Sequence, residues 1–130
     1  MNYEVVKDCT LLSVEEKITF PEVVARLKEA NIELYYADLL VPTKTYYSKN
    51  EAYVVPFTLK SEKNVGSVFK GEQVKDAIVQ IQTGKIKYQE FLRKIMQAGV
   101  ISYFVFINGH KAIYFGKLGE QHVEEFPNTN

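Results

Sequence analysis

Residues Lys17 to Lys49 recur as Lys85 to Lys117, 68 positions later and without a gap, so the chain reads as one unit used twice. The ungapped overlay keeps Lys17/Lys85, Ile18/Ile86, Glu22/Glu90, Ala30/Ala98, Tyr35/Tyr103, Tyr46/Tyr114 and Lys49/Lys117, seven identities in 33 positions. Ordinary composition gives about two. Most other pairs keep their chemical type, as in Phe20/Tyr88, Leu27/Ile95, Tyr36/Phe104 and Tyr47/Phe115. Such a repeat constrains architecture and names no reaction.

Each copy opens on a helix. Thr19-Phe20-Pro21-Glu22 is a capping box, with Pro21 at a position where a missing N–H costs nothing. Phe20, Val23, Val24 and Leu27 then follow at the spacing of one apolar stripe, and Asn31 stands where the left-handed C′ residue belongs. In the second copy Tyr88, Phe91, Leu92 and Ile95 form the stripe and Gly99 takes the C′ place, but Lys87 replaces the capping Thr. After each helix the pattern predicts a strand, 33–41 and 101–108, a turn, and a second strand, 45–48 and 112–115. Third strands are expected over 53–57 and 122–126. Asn108-Gly109 signals a type I′ hairpin turn, which needs positive φ at both central residues. Tyr103 to Ile107 is apolar on both faces, so this strand is expected to be central or to place its outer face against another subunit.

A helix also precedes each copy. Residues 71–83 carry Val74, Ala77, Ile78 and Ile81 on one side, and the N-terminal segment carries Val5, Cys9 and Leu12. That apolar phase fits an offset of 69 between the first helices, while the surface charges fit 68. The expected fold is therefore α+β: two helix-helix-strand-strand-strand units, about 2–57 and 70–127, joined by a linker at about 60–69 in a single domain over 1–130. An antiparallel sheet and a pseudo-twofold axis relate them.

Sixteen basic and sixteen acidic residues cancel. Only 60–94 is basic, and its cations lie among acids at helical spacing, which a solvated helix face explains without a nucleic acid. Cys9 alone forms no disulfide framework and reads as a small buried hydrophobe, and no apolar run reaches the roughly 18 residues of a membrane helix. The opening Met1-Asn2-Tyr3-Glu4 lacks the pattern of a signal peptide, so a cytoplasmic protein with no membrane partner is expected.

Asp38 interrupts the first strand where the second copy has Phe106, and if buried it needs a partner such as Lys44 or a tyrosine hydroxyl. Glu120, His122 and Glu124 alternate along the last strand, which would suit a general base flanked by carboxylates or part of a metal site, and suits better still the wet face of an edge strand. His110 falls in a tight turn. Tyr35/Tyr36 and Tyr46/Tyr47 are adjacent pairs, so one of each is expected in the core and the other on a surface or pocket. The chain has no Walker loop, dinucleotide fingerprint, HExxH or GxSxG, and its residues specify no cofactor and no metal centre.

The order of motifs from Phe20-Pro21-Glu22-Val23-Val24 through Asp38-Leu39, Thr45-Tyr46-Tyr47, Tyr88-Gln89-Glu90-Phe91, Gly99 and Tyr103-Phe104-Val105 to Tyr114-Phe115-Gly116 and His122-Val123-Glu124 resembles an uncharacterised bacterial family. This is the YdfO-like family, domain of unknown function 1398, whose members are often labelled phage envelope protein. The resemblance implies a prophage association and brings no activity, cofactor or catalytic residue. Two functions remain. The first is a non-enzymatic binding or assembly protein, a homodimer or the binder of a protein partner. The second is a small-molecule-binding protein or enzyme with a cleft between the units, using Asp38, Tyr47 and His122.

Overall fold

The computed structural model describes residues 1–126. Its elements are α1 (Tyr3–Val14), α2 (Phe20–Glu29), β1 (Leu34–Asp38), β2 (Thr43–Ser48), β3 (Glu51–Pro56), α3 (Gly71–Gln82), α4 (Tyr88–Gln97), β4 (Val100–Phe106), β5 (Lys111–Gly116) and β6 (Gln121–Glu125). The fold is α+β, with the series helix, helix, strand, strand, strand occurring twice. All strands pair antiparallel in one six-stranded sheet of order β3-β2-β1-β4-β5-β6. The doubly apolar strand β4 is central, as its composition requires, and Tyr36 stands directly opposite Phe104 where β1 meets β4.

Local chemistry explains the helix ends. The capping box forms, with the Glu22 amide donating to Thr19 Oγ1 and the Thr19 amide donating to Glu22 Oε1. α4 has no side-chain cap at Lys87. Asn31 and Gly99 adopt positive φ, 61° and 96°, one residue beyond the Ala30 and Ala98 caps of α2 and α4. Gly99 is further constrained, because a Cβ there would come within 2.8 Å of the Phe69 Cα.

Antiparallel neighbours share a face, so the register sorts the sheet into two sides. Tyr46 meets Thr10 of α1, Tyr103 meets Tyr88 of α4, and Glu124 meets Lys75 of α3, all on one side. α2 packs on α1. The core lies between these helices and that face, with Leu27, Leu92, Ile95, Tyr46 and Val74 fully buried.

Three sequence expectations are corrected. α1 buries Val6, Cys9, Thr10 and Ser13, and α3 buries Val74, Ala77 and Ile78, so the first helices are offset by 68 and not 69. Thr10 and Ser13 hid that phase by being polar, and Thr10 is tolerated inside because its hydroxyl donates to the Val6 carbonyl. The first strand stops at Asp38 instead of running to Val41, because the Asp38 carboxylate accepts the Leu40 and Val41 amides and turns the chain. In the β4–β5 turn the positive φ belongs to His110, at 56°, and not to Asn108 or Gly109. The loop between Phe106 and Lys111 is thus four residues long, the length usually built around a type I turn, and not the two-residue type I′ turn.

Candidate functional site

The residues singled out by sequence do not converge. Asp38 pairs with Thr43 and Ser102, and Tyr47 with Leu34, on the side of the sheet away from the helices. His122 pairs with Tyr114 on the helix side, three strands from β1 and so about 14 Å away. Lys44 also points to the helix side and cannot serve Asp38, whose carboxylate is occupied by its own turn. The His122 Nε2 lies 3.1 Å from Glu124 Oε1, and Lys75 Nζ reaches Glu124 Oε2 at 2.9 Å, so the trio ties β6 to α3. Desolvation pushes the Glu124 carboxyl up, but the hydrogen bonds from Lys75 and His122 outweigh it and hold the group below its ordinary value. Glu120 is spent on the Leu118 amide. Among the described residues no group of three or more His, Cys, Asp or Glu side chains could hold a metal ion.

The tyrosine pairs divide as alternation requires: Tyr35 and Tyr46 are buried, Tyr36 and Tyr47 half-buried on the opposite face. That opposite face carries no covering element among the described residues. Its middle row runs through all six strands in register as Val54, Thr45, Tyr36, Phe104, Ile113 and Val123. No member is charged. Tyr36 and Phe104 lie 4.7 Å apart between ring centroids, and Phe104 also contacts Phe106 at 5.5 Å and Phe115 at 6.1 Å. The charges of this face, Asp38, Lys111 and Glu125, stand at strand ends. Isolated exposed apolar residues are ordinary; here they form one uncharged row across the whole sheet with an aromatic centre.

The helix side holds the second cluster. Lys44 is only 2% exposed, and its Nζ faces the rings of Tyr88 at 4.8 Å, Tyr35 at 5.6 Å and Phe57 at 5.7 Å. Among the described residues no carboxylate forms an ion pair with it. Burial pushes the amine down from 10.5 to about 7, with Cys9 acting in the other direction. The ring faces return about 0.5–2 kcal/mol each to the protonated form, which offsets part of the desolvation. Around it the Tyr88 and Tyr103 hydroxyls share a hydrogen bond of 2.7 Å. Thr10 gives its proton to the Val6 carbonyl, so in the 2.7 Å contact of Thr10 with Tyr46 the phenol donates. Burial pushes the phenols up, Tyr103 to about 12 and Tyr35 and Tyr88 well above their ordinary value, so all are neutral hydroxyls at physiological pH. Burial likewise raises the Cys9 thiol, against the pull of Arg26 and Lys44.

Two hollows in the surface are lined by other residues than Asp38, Tyr47 and His122. A broad open one of about 710 Å³ lies where Met1, Lys28, Asn31, Glu33, Lys49 and Asn108 meet, and a smaller groove of about 140 Å³ lies between α1 and β3.

The class this fold defines is that of a helix-backed antiparallel sheet with one bare face. The chain belongs to the family described as protein of unknown function DUF1398, which it matches over residues 10–125. It is also similar to a serine–tRNA ligase of Mycoplasma capricolum subsp. capricolum, 31% identical over 116 residues, 79% of this chain and 27% of that one. The chain thus spans about a quarter of that relative's length. No helix among the described residues is long and apolar enough to cross a membrane.

Two features escaped the sequence reading, and each left a signal. Lys44 shares strand parity with Tyr46, and the 68-residue overlay places it against Ala112, a charge against a methyl group. The bare face was visible as the paired centre Tyr36/Phe104 and as β4 apolar on both sides, but only the pairing register shows that the row is continuous.

Proposed function

We propose that this protein is a binding and assembly protein whose bare sheet face packs against the same face of a second copy. The observation that carries this reading is the uncharged row from Val54 to Val123 with Tyr36 and Phe104 at its centre. Six strands of about five residues cover roughly 29 Å by 17 Å, on the order of 500 Å² in plan. Side-chain relief raises the accessible area toward the roughly 800 Å² per partner of a standard interface. An apolar centre with charges only at the strand ends matches the anatomy of such a contact, an aromatic core inside a polar rim.

The face also suits a copy of itself. In a twofold dimer one patch must complement itself. The row reads Val-Thr-Tyr outward to inward on one half and Val-Ile-Phe on the other, nearly the same shape from either end. This near-symmetry accords with a duplicated unit whose pseudo-twofold axis passes between Tyr36 and Phe104. Two such sheets stack about 10 Å apart with strands about 30° from parallel. The test is native mass spectrometry with sedimentation velocity over a range of micromolar concentrations. A concentration-dependent mass of about two chains is the expected result, and a single chain throughout would overturn self-association.

A further inference from the structure

Lys44 is a charged residue type in a place that gives it no counter-ion. No other lysine belongs to the buried set, although 16 basic residues less Arg26 and Arg93 leave 14 lysines. The groove between α1 and β3 is lined by Lys7, Thr10, Leu11, Val14, Val55 and Phe57 among others, so its wall is apolar apart from Lys7 and the Thr hydroxyls. Val55 stands directly opposite Lys44 in the β2–β3 pairing, and the Phe57 ring lies 5.7 Å from its Nζ. Phe57 is therefore the wall shared by an open apolar groove and an enclosed amine. It is also the first residue after β3, at the start of the irregular stretch that leads to α3.

We propose that Lys44 is a nucleophilic amine held out of water, and that it condenses with a small apolar aldehyde or ketone admitted from the α1–β3 groove past Phe57. The chemistry balances without any further reactant. The neutral amine's lone pair forms the C–N bond while the carbonyl π pair moves to oxygen. Proton transfer gives the carbinolamine, and loss of its hydroxyl as water leaves the imine. The groups facing the amine are the Tyr35 ring of β1, the Tyr88 ring of α4 with the Tyr103 hydroxyl behind it, Phe57, and the Cys9 thiol of α1. None is a carboxylate, so no counter-ion adds to the hold that the ring faces have on the protonated amine, and the proton that leaves nitrogen departs with the hydroxyl as water.

The experiment is reductive trapping of the whole folded chain with propanal or benzaldehyde and cyanoborohydride, read by peptide mass mapping. At pH 7 Lys44 is expected to be alkylated at least ten times faster than any other lysine, with the Met1 amine resolved on its own peptide. Its rate should level off above about pH 8. Phe57→Ala should raise the Lys44 rate several-fold and leave the surface rates unchanged. Labelling of Lys44 no faster than its surface counterparts, or only in denaturant, would overturn the proposal, and so would a Phe57→Ala rate equal to wild type.

Discussion

The two faces of one sheet differ in what they are finished with. The helix side is closed: Tyr88 and Tyr103 share a hydrogen bond, Tyr46 bonds Thr10, and its aliphatics are buried among the helices. The other side has aromatic and β-branched side chains in register and, among the described residues, no element over them. The first face therefore accounts for the stability of the single chain. The second contributes little until something covers it, because area that stays wet yields no hydrophobic free energy.

The largest effect belongs to the joint that carries the helix layer. Gly99→Val should cost about 4 kcal/mol, since φ of 96° penalises a β-branched residue and its Cβ would collide with the backbone of Val68 and Phe69. Asn31→Gly at the matching cap should change stability by less than about 0.5 kcal/mol. Urea unfolding of both variants checks the pair, and equal losses would show that the two caps are not equivalent.

Next come truncations on opposite faces. Leu92→Ala should cost about 3 kcal/mol, because that side chain is fully buried. Phe106→Ala, on the bare face, should cost less than about 1 kcal/mol in dilute solution. If both cost the same in urea titrations at nanomolar concentration, the contrast between the faces is wrong.

Lys44 sets a pH dependence whose sign follows from its depressed pKa. The unfolded chain keeps that proton up to about 10.4 and the folded chain only to about 7, so unfolding takes up a proton between these values and stability rises with pH. From pH 6.5 to 8.5 the gain should be about 1 to 2 kcal/mol. Above that window the raised Cys9 thiol begins to work the other way. Lys44→Met should flatten the rise and stabilise the chain at pH 6.5, as thermal melts across the window would report. Smaller still is Tyr46→Phe, which deletes a buried donor but leaves Thr10 bonded to the Val6 carbonyl, and should cost about 1 kcal/mol.

Signals that act over a few residues were legible. The capping box at Thr19 and the left-handed positions at Asn31 and Gly99 need only their neighbours, and the parity of Tyr35/Tyr36 follows from the pleat alone. Asp38 was misread because a strand's end depends on a side chain folding back two residues, which its alternation does not record. Lys44 was missed for another reason. A lysine in Thr43-Lys44-Thr45-Tyr46 is compatible with either face, and only the burial of Tyr46 against Thr10 decides which. His122 looked reactive beside its glutamates until Lys75 arrived from an element 49 residues away.

The most direct test of the account sets one charge on each side of the molecule. Phe104→Glu places a carboxylate at the centre of the bare face, and Val79→Glu places one on the exposed surface of α3, where Val79 is 42% exposed. Sedimentation equilibrium should show Phe104→Glu as a single chain with wild-type circular dichroism, and Val79→Glu as the same dimer as wild type. A Phe104→Glu protein that still dimerises, or dissociation by Val79→Glu alone, would contradict it.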